Sequence, residues 1–375
     1  MEVIFENLML ITWQQVVMWV IGGILISLAI KKEMEPTLLL PMGFGAILVN
    51  LPMSGAVTHF LNGVQIGEEG AIDVLFKAGI ANELFPLLLF IGIGAMIDFE
   101  PILSNPKLLF FGAGAQFGIF FTFSMAALFG FSINDAASIG IIGAADGPTS
   151  IFVANTLKSN YIGAIVVAAY SYMALVPIIQ PAVIKALTTK KERLIRMEYK
   201  PGTVSQPVKI LFPIIITILA GLVAPTSVSL VGFLMFGNLL RECGVLRGLS
   251  ETAQNVLANL ITLLLGLTIA TKMQAELFLT PQTLLIMGLG LFAFIFDTAG
   301  GVVLAKIINL FVKKKINPMV GAAGISAFPM SARVVHKMGL KEDPQNFLLM
   351  HAAGANVAGQ IASVIAGGLL LSLLG

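Results

Sequence analysis

"GIIGAADGPTSIFVAN", residues 140–155, places one carboxylate, Asp146, beside Gly147 and Pro148 inside a long apolar stretch. A lone carboxylate in hydrocarbon is costly, so Asp146 must face a cavity, pair with a cation or lie at a membrane surface. Gly147 and Pro148 break a helix. The break frees carbonyl oxygens that can coordinate a hard cation together with the Asp146 carboxylate and the hydroxyls of Thr149 or Ser150. Sodium suits such an oxygen-only inventory. The alternative is that Asp146 caps the half-helix starting at Pro148.

The surroundings of this stretch decide the class of protein. Of 375 residues, 57% are hydrophobic and 11% charged, which leaves too little polar surface to cover a soluble globule. Apolar runs recur along nearly the whole chain. A polytopic all-α membrane protein is therefore expected, because in lipid every backbone group must be satisfied within its own helix. The short alternating segments of a β-barrel are absent. The N-terminal "MEVIFENLML" carries acidic residues in place of a basic n-region, so the first span is expected to stay in place. A single cysteine, Cys243, argues against redox or multi-thiolate chemistry and reads as a small residue near a helix end. A net charge of +2 points to no acidic partner and no nucleic acid.

Apolar runs lie near residues 16–30, 38–52, 83–98, 108–131 and 162–186, with the broken segment 136–157 among them. A second set follows near 208–224, 228–241, 255–271, 282–312 and 345–374, with a broken segment at 317–336. The order is the same, and the sequences match in places. "NPKLLFFGAGAQFGIFF" (105–121) parallels "TPQTLLIMGLGLFAFIF" (280–296), and "GAADGPTS" (143–150) parallels "GAAGISAFPMS" (321–331). "AAYSYMAL" (168–175) falls where "AAGANVAG" (352–359) falls. Two repeats follow: residues 1–186, a basic cytoplasmic linker at 187–206, and residues 207–375. If each broken segment is a re-entrant hairpin, each repeat has five crossings, and the odd number inserts the second copy upside down.

Basic residues agree with ten crossings and both termini outside. The linker is the most basic stretch and should be cytoplasmic. Lys31, Lys32, Lys107, Arg241, Arg247, Lys313, Lys314, Lys315, Lys337 and Lys341 then share its side, whereas Lys77, Lys158 and Lys272 fall outside. Residues 53–82 form an external loop or surface helix. The two hairpins enter from opposite sides, the arrangement in which many secondary transporters bind a coupling ion.

"NPMVGAAGISAFPMSARVVHK" (317–337) supplies neutral oxygens from Asn317, Ser326 and Ser331, close backbone approach at Gly321 and Gly324, and a break at Pro329. Arg333 is either an interfacial cation or a bidentate receptor for an anion arriving from the cytoplasm. Tyr172, beside Tyr170, needs a hydroxyl partner if buried. Asp297, in "FAFIFDTAGG", is a second intramembrane carboxylate, either a proton or cation ligand or a helix–helix contact, and Gln116 is a weaker lining candidate. Asp98, Glu100 and Asp135 sit at span ends, where water is expected. His351 lacks a second His or Cys at ligand spacing and reads as a polar packing contact.

From "PMGFGAILVNLP" through "ELFPLLLFIGIGAMIDFEPILSNPK" and "GAADGPTSIF" to "FDTAGG" and "NPMVGAAGISAFPMSARV", the chain resembles the β-subunit family of the biotin-dependent, sodium-pumping decarboxylases. Those enzymes act on oxaloacetate, methylmalonyl-CoA, glutaconyl-CoA or malonate. The resemblance implies a bacterial inner-membrane translocase subunit that removes CO2 from carboxybiotin and exports sodium, consuming an external proton. It implies a sodium-ligand role for Asp146, places Asn317, Gly321 and Ser326 in the sodium and proton path, Arg333 near carboxybiotin, and Tyr172 in proton transfer. Thr149 joins the sodium ligands on the residue reading above. Partners are then a carboxyltransferase, a biotin carrier protein and a small single-span membrane subunit, with a homo-oligomeric arrangement. The chain lacks a biotinyl-lysine context, so the biotin is expected on a partner. Its length tilts the substrate toward an acyl-CoA. The rival reading is a sodium-coupled carboxylate carrier without bond cleavage, and a purely structural anchor is disfavoured by the cost of charged, broken segments at mid-membrane depth.

Overall fold

The computed structural model describes residues 9–33, 35–61, 64–198, 204–223 and 225–374. The acidic N-terminal stretch to residue 8 and linker residues 199–203 lie outside them. The first half of the chain gives α1 (Trp13–Lys32), α2 (Pro36–Val49), α3 (Leu84–Met96), α4 (Pro106–Leu128), α5 (Ile133–Ala144), α6 (Gly147–Thr156) and α7 (Ile162–Leu187). The second gives α8 (Gln206–Val223), α9 (Val228–Glu242), α10 (Arg247–Met273), α11 (Pro281–Phe311), α12 (Pro318–Ala322), α13 (Met330–Glu342) and α14 (Leu349–Leu374). Six of these, α1, α4, α7, α10, α11 and α14, are long and apolar enough to cross a membrane. The chain is an all-α membrane protein, apart from a small antiparallel hairpin pairing His59–Leu61 with Val64–Ile66.

Helix ends follow local chemistry. Thr12 and Gln15 form a reciprocal capping box at the start of α1. Pro36, Pro281 and Pro318 open α2, α11 and α12, where the missing N–H costs nothing. The segment 53–82 holds the β-hairpin and a short helix, Ala71–Gly79, bent by 63° from α3. The second broken segment runs further than the sequence suggests: α13 continues past residue 336 to Glu342, because nothing between Ser331 and Lys341 interrupts it.

The helices pack in matched sets. Helix α1 lies on α2 as α8 lies on α9; α3 lies on α9 as α10 lies on α2. Helix α7 lies on α11 as α14 lies on α4, and α5 meets α4 as α12 meets α11. Helices α6 and α13 each contact both α7 and α14, and α4 crosses α11. Close approach depends on glycine: a Cβ on Gly22 or Gly43 would lie 2.6 Å from the other's carbonyl oxygen, and Gly301 and Gly321 abut in the same reciprocal way.

Both broken segments return to the end from which they start. Asn134, at the start of α5, donates to the Leu157 carbonyl at the end of α6 (3.2 Å). Asn317, which caps α12, donates to the Arg193 carbonyl (2.9 Å), and the Arg193 side chain pairs with Glu342 at the end of α13 (2.8 Å). The tips touch: the Ser326 N–H donates to the Ala144 carbonyl (3.0 Å).

Of the carboxylates expected in water, Asp98 and Glu100 are half-buried and paired with Arg241 and Lys209. Asp135 is not in water. It is 4% exposed and accepts hydrogen bonds from Ser132 Oγ (2.7 Å), Ser159 Oγ (2.8 Å) and the Asn160 backbone (2.9 Å), tying the start of α5 to the turn before α7.

Candidate functional site where two helix breaks meet

Helix α5 ends because Ala145 adopts a left-handed conformation (φ 52°), which costs a residue with a Cβ about 1–2 kcal/mol. That turn places Asp146 in extended conformation at the head of α6, 3% exposed. Its side chain makes no capping hydrogen bond to the helix it precedes. Instead Oδ2 accepts from Thr149 Oγ1 (2.7 Å) and lies 3.1 Å from Ser363 Oγ on α14. The Ser363 hydroxyl is also 3.0 Å from the Gln360 carbonyl, and its single proton serves one acceptor at a time. Ser150 turns back onto the Asp146 carbonyl (2.9 Å), so its hydroxyl is engaged within α6.

The tip of the second segment reaches the same place through Ser326. Its Oγ donates to the Gly359 carbonyl (2.8 Å), its carbonyl accepts from Gln360 Nε2, and the neighbouring Ile325 carbonyl accepts from Asn356 Nδ2 (2.6 Å). Among the described residues, Asn356 Oδ1 and Gln360 Oε1 are then buried without a partner. Such orphaned acceptors are expensive unless a ligand, ion or water meets them. One face of α14 thus carries Asn356, Gln360 and Ser363 to the junction of both tips. These three are the residues that reading the sequence missed: they stand in an Ala/Gly-rich helix whose polar spacing, i, i+4 and i+7, was the available signal.

Other candidates lie elsewhere. Asn317 is fully buried and hydrogen-bonded through both ends of its amide: its oxygen accepts from the Met319 N–H (3.1 Å), and its N–H groups donate to the Arg193 and Ile195 carbonyls (2.9 Å each). It clamps the linker to the second hairpin's entrance and is not brought to Asp146. Gly321 serves the crossing with Gly301. Ser331 accepts from Gln180 Nε2 on α7 (2.6 Å). Arg333 is exposed on the first turns of α13, and no hydrogen bond or ion pair holds its guanidinium among the described residues. The half-buried Glu35, between α1 and α2, feels its charge: burial raises the Glu35 carboxyl above the ordinary carboxylate range, and Arg333 pulls it back.

The two tyrosines point apart. Tyr172 is 6% exposed, donates to the Met287 carbonyl on α11, and packs its ring where a Cβ on Gly290 would come within 2.9 Å. Tyr170 is the one beside Asp146: its ring fills the space over Gly147, and its buried hydroxyl has no partner among the described residues. Asp297 is fully buried and caps a break in a neighbouring helix. Helix α4 interrupts itself at Ala115 and Gln116, and Asp297 Oδ1 accepts from the freed Gly118 and Ile119 N–H groups. Its Oδ2 lies against Gly143 of α5 with no hydrogen-bond partner among the described residues. Gln116 folds back onto the Gly112 carbonyl (3.0 Å) and leaves its own oxygen unpartnered among the described residues.

Near Asp146 the chain therefore gathers one carboxylate, hydroxyls and amide oxygens around two interrupted backbones. This is an inventory for a hard cation. Among the described residues no group of three His, Cys, Asp or Glu side chains stands in metal-holding geometry.

Residues 14–374 match the family model described as the Na+-transporting oxaloacetate decarboxylase beta subunit. The methylmalonyl-CoA decarboxylase subunit beta of Propionigenium modestum is 49% identical, covering 96% of this chain and 95% of that one. The oxaloacetate decarboxylase beta chain of Haemophilus ducreyi is 46% identical over 98% of this chain and 97% of its own length. The glutaconyl-CoA decarboxylase subunit beta of Acidaminococcus fermentans is 48% identical over 97% and 94% respectively. With near-complete coverage on both sides, the chain belongs to the family of sodium-transporting decarboxylase beta subunits.

Proposed function

We propose that this chain decarboxylates carboxybiotin carried by a partner subunit and couples the release of CO2 to export of sodium, with an external proton consumed. The observation that carries the reading is the meeting of Asp146 with the Ser326 tip, beside two unpartnered amide oxygens on α14. Asp146, Thr149 and Ser326, with Asn356, Gln360 and Ser363, form the sodium site. Sodium and a proton compete for one carboxylate, which links the two ions by simple exclusion. Carboxybiotin supplies an N-carboxylate whose loss as CO2 drives the cycle. Arg333 receives that anion at the cytoplasmic end through paired N–H donors. Tyr172 holds a proton on its hydroxyl against the Met287 carbonyl, and its transfer requires α7 and α11 to shift relative to each other. Asn317 and Gly321 act by positioning the second hairpin, and Asp297 and Gln116 by stabilising the break in α4.

The paired packing supports two inverted repeats, residues 1–186 and 207–375, joined by a basic linker. The main interhelical contacts, α1–α2 with α8–α9, α3–α9 with α10–α2, α7–α11 with α14–α4 and α5–α4 with α12–α11, exchange with one another when α1–α7 are swapped for α8–α14. Orientation is supported by Lys107, which opens α4, lining one cavity with Lys314 and Lys315, which follow α11. The start of one helix therefore lies at the end of its counterpart. At the opposite end, Lys272 sits over the Phe76 ring at 4.8 Å. Ten crossings follow if α2, α3, α8 and α9 span with the six longer helices, and the two broken segments are re-entrant. Both termini then lie outside the bacterial inner membrane. A carboxyltransferase, a biotin carrier and a small membrane subunit complete the enzyme, and the chain forms homo-oligomers.

An acyl-CoA donor is favoured by length. Alignments run to 375 and 364 residues with the methylmalonyl-CoA and glutaconyl-CoA relatives but to 421 with an oxaloacetate relative, which therefore carries insertions. The experiment is sodium transport by the reconstituted complex with and without avidin. A carboxybiotin pump stops, whereas a sodium-coupled carboxylate carrier continues, and continued transport overturns the proposal.

A further inference from the structure

The outer surface of the α4–α11 crossing holds a feature that the ion site does not use. At the linker end of the crossing lies a cavity of about 650 Å³ whose rim carries Lys107, Lys314 and Lys315. Directly beyond it, sharing Leu304, a second cavity of about 540 Å³ continues along the crevice between the same two helices. Its wall is almost wholly apolar: Phe117, Phe120, Phe296, Val303 and Ile307 flank a floor of small residues. The floor is open because a Cβ on Gly300 would lie 2.5 Å from the Gly114 carbonyl oxygen, so the helices touch there and diverge on either side.

We propose that this continuous groove binds one anionic phospholipid, its phosphate on the lysine rim and an acyl chain in the crevice. The charge pattern favours such an occupant. Lys107 is exposed, and the Lys314–Glu198 pair (3.0 Å) has side chains 75% and 73% exposed, so it holds its ammonium only weakly against a competing anion. Lys315 donates to the Asn309 (2.5 Å) and Val312 (3.1 Å) carbonyls at the end of α11, which sets its charge at the interfacial level where headgroups lie. Depth agrees as well. From Lys107 to Phe120 is roughly 13 residues, about 20 Å of helix rise, which takes an acyl chain from the headgroup level to the middle of a hydrocarbon core about 30 Å thick. A basic rim alone would suit any phosphate, but the apolar continuation requires a chain attached to it. Exposed Phe110, which lines the same cavity as the lysines, suits the same amphipathic boundary.

Native mass spectrometry of the intact complex, delipidated and then titrated with phosphatidylglycerol or phosphatidylcholine, tests this. Phosphatidylglycerol is expected to be retained and phosphatidylcholine lost. Lys107→Ala combined with Lys314→Ala should weaken phosphatidylglycerol by roughly thirtyfold, given the contribution of each interfacial lysine. Ala299→Leu, which narrows the crevice and leaves the rim intact, should weaken it independently. Thermal stabilisation of the complex by each lipid gives a second readout, with inorganic phosphate as the soluble control. Equal retention of both lipids, insensitivity to both variants, or equal stabilisation by inorganic phosphate would overturn the proposal. So would crosslinks showing the groove filled by a second copy of the chain.

Discussion

Replacing Asp146 by Asn separates a structural role from ion binding because the two make opposite demands on stability. Asn can present its oxygen where Oδ2 now stands, keeping acceptance from Thr149 Oγ1 at 2.7 Å and from Ser363 Oγ at 3.1 Å. Each bond loses its charge assistance, about 1 kcal/mol apiece. Against that, a buried anion with no cation costs several kcal/mol, and the substitution removes this cost. Without sodium the variant should therefore be as stable as the parent or more so. With sodium the order reverses. The parent gains about 2.7 kcal/mol at a hundredfold excess over Kd, and the variant gains nothing. Melting curves of purified protein in sodium against choline salts read this directly as a rise of a few degrees in the parent alone. If Asp146→Asn keeps the sodium-dependent rise, the carboxylate is not the ion's ligand and the reasoning fails.

Glu35→Gln should remove a cost that grows with pH. The Glu35 carboxyl is raised by burial, so the folded state binds its proton more tightly than the unfolded one, and stability falls as pH rises from its unfolded value through the raised one. The parent should lose melting temperature across that window relative to the variant, and parallel curves would contradict this. Tyr172→Phe loses one hydrogen bond to the Met287 carbonyl, about 1 kcal/mol, yet turnover should fall by far more than that if the hydroxyl carries the proton. Unchanged decarboxylation would remove Tyr172 from the path. Arg333→Gln should raise the half-saturating concentration of carboxylated carrier by at least about tenfold while leaving sodium-induced stabilisation intact. Gly321→Ala should cost about 1–3 kcal/mol in melting experiments by forcing α12 from the Gly301 backbone, and a neutral effect would show that the crossing adjusts.

The order of helices, the two broken segments and the burial of Asp146 were legible because each has a strong local cause: recurring apolar runs, and helix breakers inside them, Gly147–Pro148 in the first segment and Gly324 and Pro329 in the second. Other features depended on tertiary partners that no local pattern reveals. Asn317 offered an oxygen for a cation, but the fold uses that oxygen to cap α12 through the Met319 N–H and its N–H groups to hold the linker at Arg193 and Ile195. Tyr170 and Tyr172 were indistinguishable in sequence, and only packing decides that Tyr170 covers Gly147 while Tyr172 reaches α11. Asp135 read as a water-facing span end, yet Ser159 and Asn160 fold over it. Asn356, Gln360 and Ser363 were hidden by composition, since in an Ala/Gly-rich helix isolated polar residues resemble ordinary interhelical contacts.

The most direct test of the sodium site is a cryo-electron microscopy map of the protein in sodium compared with one in choline. The account predicts a sodium-dependent density between the Asp146 carboxylate and the oxygens of Ser326, Asn356 and Gln360. Sodium-dependent density at Asp297 with none at Asp146 would contradict it.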